Sequence, residues 1–494
     1  VVSSLLFTVL VTQKKERSRM RIHSIRLAVV AVAAILAVAV AIAPQTASAV
    51  GPEGNWASGI ACVNLGTTNG TATLVFYDQT GAVEATVPKP DAFEPNKPWL
   101  LFTPNIPGLG DDFFGSAVFS SDVQANCSVN TQTAPGQLVR VGTSGGVSGD
   151  DTGPTLYATQ ILNALAGFNS YVAVQNASSS EADVVAEYYD SNGALVKTLP
   201  AVKIPPNASH TFYQDDGNLP ANFIGSAIFK SQDTAEVLAG SVGLYNTNTA
   251  QLLSVNTFKD GAAKVFVPRL AKNLSGVGYT SGFACQNLGP GDANMTMEIS
   301  FFNQANQQTV TQTLTKNGVK QGQSWLGYVG DITGAIGGIT RGFGSATVTS
   351  TGGLIACTLN EDVRTSPTAA LVGQGSTYAG VPDGDQSTKM SFSQIVALGE
   401  ASYRGGMQYA NTTATATTCT HTYSNGDVKS NVPLAANGSN SIFAQDDLTN
   451  NKTNFNGSVE VECGQPIVGI YNLSIIGGAA SGDPFATNNG TNKQ

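Results

Sequence analysis

The chain has 494 residues, which at roughly 100 to 200 residues per domain is enough for several domains with apolar cores of their own. It carries 25 Lys and Arg against 34 Asp and Glu, a formal net charge of -9, and only 12% of its residues are charged. Binding to nucleic acid requires a basic surface that displaces counterions from phosphate, so this composition excludes that class of protein. The 54 Gly and three His indicate a polar, uncharged surface over β structure, with few residues for catalysis.

Residues 1–49 predict an export signal. Met20 precedes two arginines and an apolar run over residues 27–43, and the small-residue triplet Ala47-Ser48-Ala49 follows. This is the order of regions in a secretory signal peptide, so we expect cleavage after Ala49. Residues 1–19 are interpreted as an upstream artefact of the gene start. The alternative is an uncleaved anchor, because the apolar run approaches the length of a membrane span.

Cleavage would make the chain more acidic, because residues 1–49 hold six basic residues and one acidic residue. The sequence after the signal has no second apolar span, no sortase-type Leu-Pro-x-Thr-Gly and no hydrophobic tail. We therefore expect an extracellular protein that is secreted or associated with the cell surface, with no membrane insertion after signal cleavage.

Two landmarks recur along the remaining chain at nearly the same period. A strand-like run ending in Asn occurs at residues 61–64, 173–176, 284–287 and 408–411. A Gly-Ser-Ala or Gly-Ser-Val triplet occurs at residues 115–117, 225–227, 344–346 and 457–459. The sequence therefore predicts four repeats, at residues 50–150, 151–262, 263–380 and 381–494, the last with a short C-terminal tail.

Each repeat has the pattern of short strands separated by turns. In repeat 2 a β-branched and aromatic run over residues 184–189 is followed by Asn192-Gly193 and a second apolar run. Asn-Gly supplies the positive-φ positions of a hairpin turn. The pattern predicts an all-β fold of four tandem antiparallel β-sandwich domains of about 110 residues. We expect them to be separate beads, with boundaries in the Gly- and Ser-rich segments 143–154 and 373–387, interpreted as linkers, and near residues 259–263.

Six Cys in an exported chain predict disulfides rather than a metal site, because the sequence has neither C-x2-C spacing nor His nearby. The two Cys of repeat 1 occupy the same strand positions as the two Cys of repeat 3, and repeat 4 places its pair at a second position. In repeats 2 and 4 the first position holds a large residue and its partner is Gly. The predicted bridges, each within one repeat, are Cys62–Cys127, Cys285–Cys357 and Cys419–Cys463.

Residues for chemistry are few, and we predict no enzymatic activity, no catalytic residue and no cofactor. Residues 142–146 match G-x-S-x-G, but they lie in a Gly/Ser-rich segment without the strand and helix of a nucleophile elbow. His210 and His421 fall at non-equivalent places in two repeats. Finding either His within hydrogen-bond reach of a Ser and an Asp would indicate a hydrolase instead.

Paired aspartates are the candidates for a calcium site, because loop carboxylates supply the oxygen ligands that Ca²⁺ prefers. The pairs are Asp215 and Asp216 in repeat 2 and the equivalent Asp446 and Asp447 in repeat 4. The alternative is solvated turn residues, because the chain has no EF-hand or RTX order.

The motifs of the repeat resemble the tandem immunoglobulin-like β-sandwich modules of bacterial cell-surface proteins. They are the strand that ends in Asn, the Tyr-Tyr-Asp-x-Asn-Gly hairpin at 188–193, the Pro-Pro-Asn loop at 205–207 and the Gly-Ser-Ala strand. The resemblance implies a non-enzymatic structural or adhesive protein. Its partners would be cell-surface or matrix components, glycans or other copies of itself. The alternative function is carbohydrate binding, through aromatic residues and loop Asp and Asn.

The two ends of the chain differ from its middle. Apolar segments precede repeats 2, 3 and 4, whereas only residues 50–56 precede the first strand of repeat 1. If such a segment is a sheet strand, repeat 1 has an unpaired edge. We expect this edge to accept a strand of another copy, with the tail at 483–489 as the candidate donor. The alternative is that the short N-terminus of repeat 1 covers the edge.

Overall fold

The computed structural model describes residues 3–9, 56–110, 113–133, 139–214, 216–397, 403–450, 454–475 and 482–493. The signal peptide, its cleavage site and Asp215 lie outside the described residues. The described chain is all-β, as predicted, with short 3-10 turns and one helical turn, α1 (Ala444–Asp447). Within these residues, no helix has the length and apolarity required to span a membrane.

The strands form because apolar and polar side chains alternate along them. In the strand Ala182–Asp190, Ala182, Val184, Ala186 and Tyr188 are buried and the residues between them are partly exposed. A turn follows in which the Asp190 carboxylate accepts hydrogen bonds from the backbone N–H groups of residues 192 and 194, and Gly193 has φ 79°. Glycine adopts this left-handed conformation without steric cost, so the Asn-Gly turn ends the strand where the sequence predicts.

Four groups of consecutive strands, here called units 1 to 4, each enclose a large apolar core. Unit 1 comprises β1 (Ser3–Val9), β2 (Trp56–Asn64), β3 (Ala72–Asp78), β4 (Val83–Pro88), β5 (Pro98–Phe102), β6 (Gly115–Ser121), β7 (Ala125–Thr133), β8 (Val139–Gly145) and β9 (Val147–Ser148). Unit 2 comprises β10 (Thr155–Asn163), β11 (Phe168–Asn176), β12 (Ala182–Asp190), β13 (Leu195–Thr198), β14 (Val202–Ile204), β15 (Ser209–Tyr213), β16 (Phe223–Ser231), β17 (Leu238–Asn246) and β18 (Leu252–Asn256).

The other two units follow in chain order. Unit 3 comprises β19 (Lys264–Lys272), β20 (Tyr279–Gly289), β21 (Ala293–Asn303), β22 (Gln308–Val319), β23 (Ser324–Tyr328), β24 (Gly342–Thr351), β25 (Leu354–Val363), β26 (Gly375–Ala379) and β27 (Val381–Pro382). Unit 4 comprises β28 (Ser387–Ala397), β29 (Tyr403–Asn411), β30 (Thr417–Tyr423), β31 (Val428–Leu434), β32 (Ser439–Phe443), β33 (Phe455–Ile475), β34 (Gly482–Asp483), β35 (Ala486–Asn489) and β36 (Thr491–Asn492).

The strand order is equivalent in the four units. In unit 3 one sheet has the order β22-β21-β24-β19-β27 and the other has the order β23-β20-β25-β26. Unit 1 has the corresponding orders β4-β3-β6-β1-β9 and β5-β2-β7-β8, and unit 2 has β13-β12-β16-β10 and β15-β11-β17-β18. In unit 4 the long strand β33 belongs to both layers, because it pairs with β28 and β30 and also with β29 and β35. The inner faces of the two layers form the core.

Disulfides link directly opposed residues on neighbouring strands. Each joins two Cys that are partners in the strand register. At the first of these places Val174 instead faces Gly240 in unit 2, and Tyr409 faces Gly469 in unit 4. The bonded pairs are Cys62–Cys127, Cys285–Cys357 and Cys419–Cys463.

The units do not form the expected beads, because strands near the C-terminal end of each unit meet around a common centre. Strand β8 contacts β18, β18 contacts β26, β26 contacts β35 and β35 contacts β8. Strand β26 lies within the segment 373–387, and the end of β8 lies in the segment 143–154. The sequence analysis interpreted both segments as linkers. That interpretation is wrong: the small residues allow strands to approach closely at the centre of a ring of four units.

Both chain ends also differ from the expectation. Residues 3–9, interpreted as an upstream artefact, form β1 and pair with β6 at the edge that was expected to be open. The C-terminal segment, expected to reach another copy, is buried in its own chain: β35 pairs with β33, and Asp483 and Phe485 are buried.

Candidate functional site

The junctions between units share one contact, made by the Ser of the recurring Gly-Ser-Ala or Gly-Ser-Val triplet. In each unit this Ser is buried and its hydroxyl donates a hydrogen bond to a backbone carbonyl of the next unit. The fourth contact returns from unit 4 to unit 1, so the four units close into a ring. The contacts are Ser116 Oγ to Asn207 O at 2.5 Å, Ser226 Oγ to Gly322 O, Ser345 Oγ to Asn437 O at 3.5 Å and Ser458 Oγ to Asn96 O at 2.6 Å.

The four acceptor residues share a conformation that few residue types adopt. Asn96, Asn207, Gly322 and Asn437 have φ values of 59°, 62°, 84° and 49°. Asn and Gly are the residues that tolerate this left-handed region, in which the chain turns sharply in the loop before the fifth or sixth strand of each unit. The repeated loop and the repeated Ser-bearing strand are therefore two halves of one contact.

Asp483, in the C-terminal segment of unit 4, links the centre of the ring. Its carboxylate accepts hydrogen bonds from the backbone N–H groups of Leu252 in unit 2 at 3.2 Å, Gly375 in unit 3 at 3.0 Å and Phe485 at 3.2 Å. It also lies beside Arg140 of unit 1, across the parallel pairing of β34 and β8. Burial raises the pKa of Asp483, and the three N–H donors and Arg140 oppose that shift. This one side chain contacts or faces all four units.

A cavity of about 630 Å³ lies between units 2 and 3. Its apolar wall comes from both units and includes Phe168, Leu244, Phe283, Leu326 and Tyr328. Such a cavity, with apolar walls and a few polar groups, has the size and character of a site for a small ligand.

The charged side chains that line this cavity belong to unit 3. The Arg364 guanidinium lies 3.8 Å from the centre of the Tyr328 ring, and its Nε is 2.9 Å from Asp362 Oδ2. Burial raises the pKa of Asp362, and the ion pair with Arg364 opposes the shift. The side-chain oxygen of Asn360 is buried and accepts no hydrogen bond from the described residues. The unit 3 side of the cavity therefore combines an aromatic ring, an ion pair and the side chain of Asn360.

His421 lies in a buried hydrogen-bonded network within unit 4. Its Nδ1 is 2.6 Å from Asp447 Oδ2 and its Nε2 is 2.8 Å from the Tyr409 hydroxyl. Tyr423 donates a further hydrogen bond to the same carboxylate oxygen at 2.8 Å. The third member is a Tyr rather than a Ser, and the His421 side chain is 0% exposed. The network stabilises the core of unit 4, and no substrate has access to the imidazole in this structure.

The remaining sequence candidates are not brought together. His210 lies on β15 against the Phe212 ring, and burial lowers its pKa. Asp216 is exposed and accepts a hydrogen bond from the backbone N–H of Tyr213, and Asp446 is exposed while its neighbour Asp447 faces the core. The described residues contain no cluster of three or more His, Cys, Asp or Glu that could hold a metal ion. The side chains of Asp446 and Asp447 thus lie in different environments, one exposed and one buried.

The Asn at or near the end of the second strand of each unit has a structural role. These residues are buried, and each side-chain amide donates to two backbone carbonyls in loops or at strand ends, while its oxygen accepts a hydrogen bond from the backbone N–H two residues later. They are Asn64, Asn176, Asn287 and Asn411. Sequence reasoning identified this landmark from its period but did not recognise it as a loop clamp.

Comparisons with known proteins add little. No protein-family model matches the chain, and no curated protein matches it. Among solved structures, the chain is similar at 12% identity to the serine-rich repeat protein Srr2 from Streptococcus agalactiae; the match covers 52% of this chain and 84% of that one. The TM-score of 0.12 is too low for this likeness to support a conclusion about function.

Proposed function

We propose that the protein is a non-enzymatic, exported structural or adhesive protein of the cell surface, built from four immunoglobulin-like β-sandwich repeats. The observation that carries the proposal is the closure of the ring by the same Ser-to-carbonyl contact at all four junctions. Such an assembly uses its repeated residues to hold itself together rather than to perform chemistry. Three disulfides support an oxidising, extracellular location.

Rigidity follows from this construction. A string of separate modules bends at its linkers, whereas each unit of the ring is held by two neighbours and by the central strands. Loops on the outer surface are thereby kept at fixed relative positions, which suits a protein that binds a surface or builds one. The low charge of the chain favours such contacts over electrostatic capture of a charged ligand.

The first test of this function is made on the producing cell. Antibody labelling of intact cells should detect the full-length gene product, and non-reducing peptide mapping should recover the three bridges. A strain without the gene should lose adhesion or envelope integrity, and the wild-type gene should restore it. A protein found only in the cytoplasm with reduced Cys, or a deletion without either defect, would contradict the proposal.

The ring itself is tested by small-angle scattering. A compact chain of this length has a radius of gyration of about 23 Å, whereas four separate units in a string would give about twice that value. The expected result is the smaller value, unchanged by moderate salt.

The cavity between units 2 and 3 favours a second candidate function, the binding of a carbohydrate. A sugar could use the polar side chains of Asn360 and Asp362, with Tyr328 as the apolar surface. Glycan-array binding that is lost in Tyr328→Ala and kept in Phe443→Ala would support it, because Phe443 is an exposed aromatic of unit 4 outside the cavity. An array without any bound glycan would refute it.

A further inference from the structure

The edge of unit 1 is completed by a strand that is distant in the sequence. Strand β1 pairs with β6 over seven residues, from Ser3 opposite Ser121 to Val9 opposite Gly115. It also pairs with β9, and the next described strand of the unit begins at Trp56. The intervening residues 10–55 contain the predicted export signal, so cleavage after Ala49 would separate β1 from the rest of the unit.

The other units contain an equivalent strand within their own sequence. In unit 2, Leu156, Ala158 and Ile161 of β10 lie opposite Phe229, Ala227 and Gly225. Leu5, Phe7 and Val9 occupy the corresponding register positions, opposite Phe119, Ala117 and Gly115. Strands β19 and β28 have the same relation to β24 and β33. The place that β1 takes is therefore a regular strand position of the fold.

This position is a groove rather than a flat edge. Besides β6, strand β1 contacts β11 and β17 of unit 2 and β7 of its own unit. Its three counterparts contact the next unit in the same way: β10 against β20 and β25, β19 against β29 and β33, and β28 against β2 and β7. With walls on both sides, the groove admits one extended strand and excludes the edge of another complete sheet.

The counterparts define what such a strand must contain. At the three inward register positions all nine residues of units 2, 3 and 4 are apolar and buried. They are Leu156, Ala158 and Ile161, Val265, Val267 and Leu270, and Met390, Phe392 and Ile395.

We propose that, in the exported protein, the groove between units 1 and 2 binds one extended strand of another polypeptide, with apolar residues at alternate positions. The proposal rests on the export and cleavage included in the proposed function. Strand addition satisfies the backbone N–H and C=O groups of β6 that pair with β1 here. The C-terminal segment of a second copy does not serve as donor, because β34 to β36 already pair with β8, β33 and β28 of their own ring.

The ring does not depend on β1 for its closure at this junction. Trp56 packs with Tyr171, Tyr213, Tyr245 and Leu252 of unit 2 in an apolar cluster, and Ser116 donates to Asn207. The groove can therefore be empty without separation of the two units.

The experiment uses the protein secreted from the full-length gene, whose N-terminus is determined by mass spectrometry. The probe is a labelled peptide of residues 155–163, the equivalent strand of unit 2, and the control peptide carries Leu156→Lys, Ala158→Lys and Ile161→Lys. For a chain that begins at Val50, we expect amides 115–121 to exchange hydrogen at least tenfold faster than amides 225–231. The peptide should bind and slow that exchange at least tenfold, and the control peptide should not.

A second variant locates the binding site. Residues 3–9 joined to Val50 by a flexible Gly/Ser linker should fill the groove and abolish peptide binding. Equal binding to the tethered and untethered proteins would overturn the proposal, as would no binding together with equal protection of amides 115–121 and 225–231. A secreted chain that retains residues 3–9 would also overturn it, because the groove would then be filled by the protein itself. The surface location tested above is read independently of all these results.

Discussion

Replacement of Asp483 by Ala tests whether the ring is held at its centre. The carboxylate is buried and accepts hydrogen bonds from three backbone N–H groups, which belong to Leu252, Gly375 and Phe485. Each buried donor left without an acceptor costs about 1 to 3 kcal/mol, and solvent that enters the gap recovers part of that loss. We therefore expect Asp483→Ala to lower the free energy of unfolding by about 3 to 5 kcal/mol.

The size of the loss depends on the oxygens rather than on the volume of the side chain. Asp483→Asn keeps one acceptor oxygen but turns an amide group toward one of the donors, so we expect a smaller loss, of about 1 to 3 kcal/mol. Asp446→Ala is the matched control, because Asp446 is an exposed Asp of the same unit. Its effect should stay below about 0.5 kcal/mol.

Urea denaturation at neutral pH, followed by tyrosine and tryptophan fluorescence, measures these differences. Hydrogen exchange at the amides of Leu252 and Gly375 then shows where the structure loosens. A loss below about 1 kcal/mol in Asp483→Ala, with both amides still protected, would refute the view that this carboxylate stabilises the centre.

Three further predictions concern single contacts. Ser116→Ala should lower the free energy of unfolding by about 1 kcal/mol, because it removes the donor to Asn207 O at the junction of units 1 and 2. The control Ser120→Ala should change it little, and the urea midpoints of the two variants measure the difference. Replacing Cys285 and Cys357 together by Ala should lower the free energy of unfolding by about 4 kcal/mol in the chain-entropy model, because their bridge closes a loop with a sequence separation of 72. A loss below half of that figure in calorimetry would show that the unfolded chain is constrained in other ways. Hydrogen bonds from the backbone N–H and side chain of Asn450 lower the pKa of Asp427 to about 2. The ionised carboxylate therefore stabilises the folded state above the ordinary Asp pKa, and this stabilisation is lost as the pH falls toward 2. The stability gap between the wild type and Asp427→Asn should thus be constant from pH 7 to 5 and should close near pH 2, and a gap independent of pH would contradict the assignment.

The local structure was predictable because its causes are local. Alternating burial along β12 and the Asn192-Gly193 turn are both encoded within a few residues, so the all-β class follows from the sequence. The periodic Gly-Ser-Ala triplet and the Asn-bearing loop were also visible. Their relation was not, because Ser116 and Asn207 lie in different repeats and nothing in either motif specifies which repeat supplies the partner.

The misinterpreted linkers have a physical explanation. Flexible linkers are rich in Gly and Ser because these residues are small and unconstrained. The centre of the ring has small residues because strands of neighbouring units approach closely there. A Cβ on Gly375, in the segment 373–387, would lie 3.2 Å from Gln251 Nε2 and 3.3 Å from Leu253 Cδ1 of unit 2. Composition alone does not distinguish a strand crowded by its neighbours from a segment that has none.

The return of the fourth junction to unit 1 restricts how such a protein can change in length. Open solenoids gain or lose repeats at their ends because each added repeat meets the same surface as the one before it. In this ring four junctions together complete a full circle, so each junction turns the chain by about a quarter of a circle on average. A fifth repeat would have no junction left to occupy, and the loss of one repeat would leave a Ser donor and a loop carbonyl without each other. The number of repeats is therefore fixed by the angle between neighbouring units.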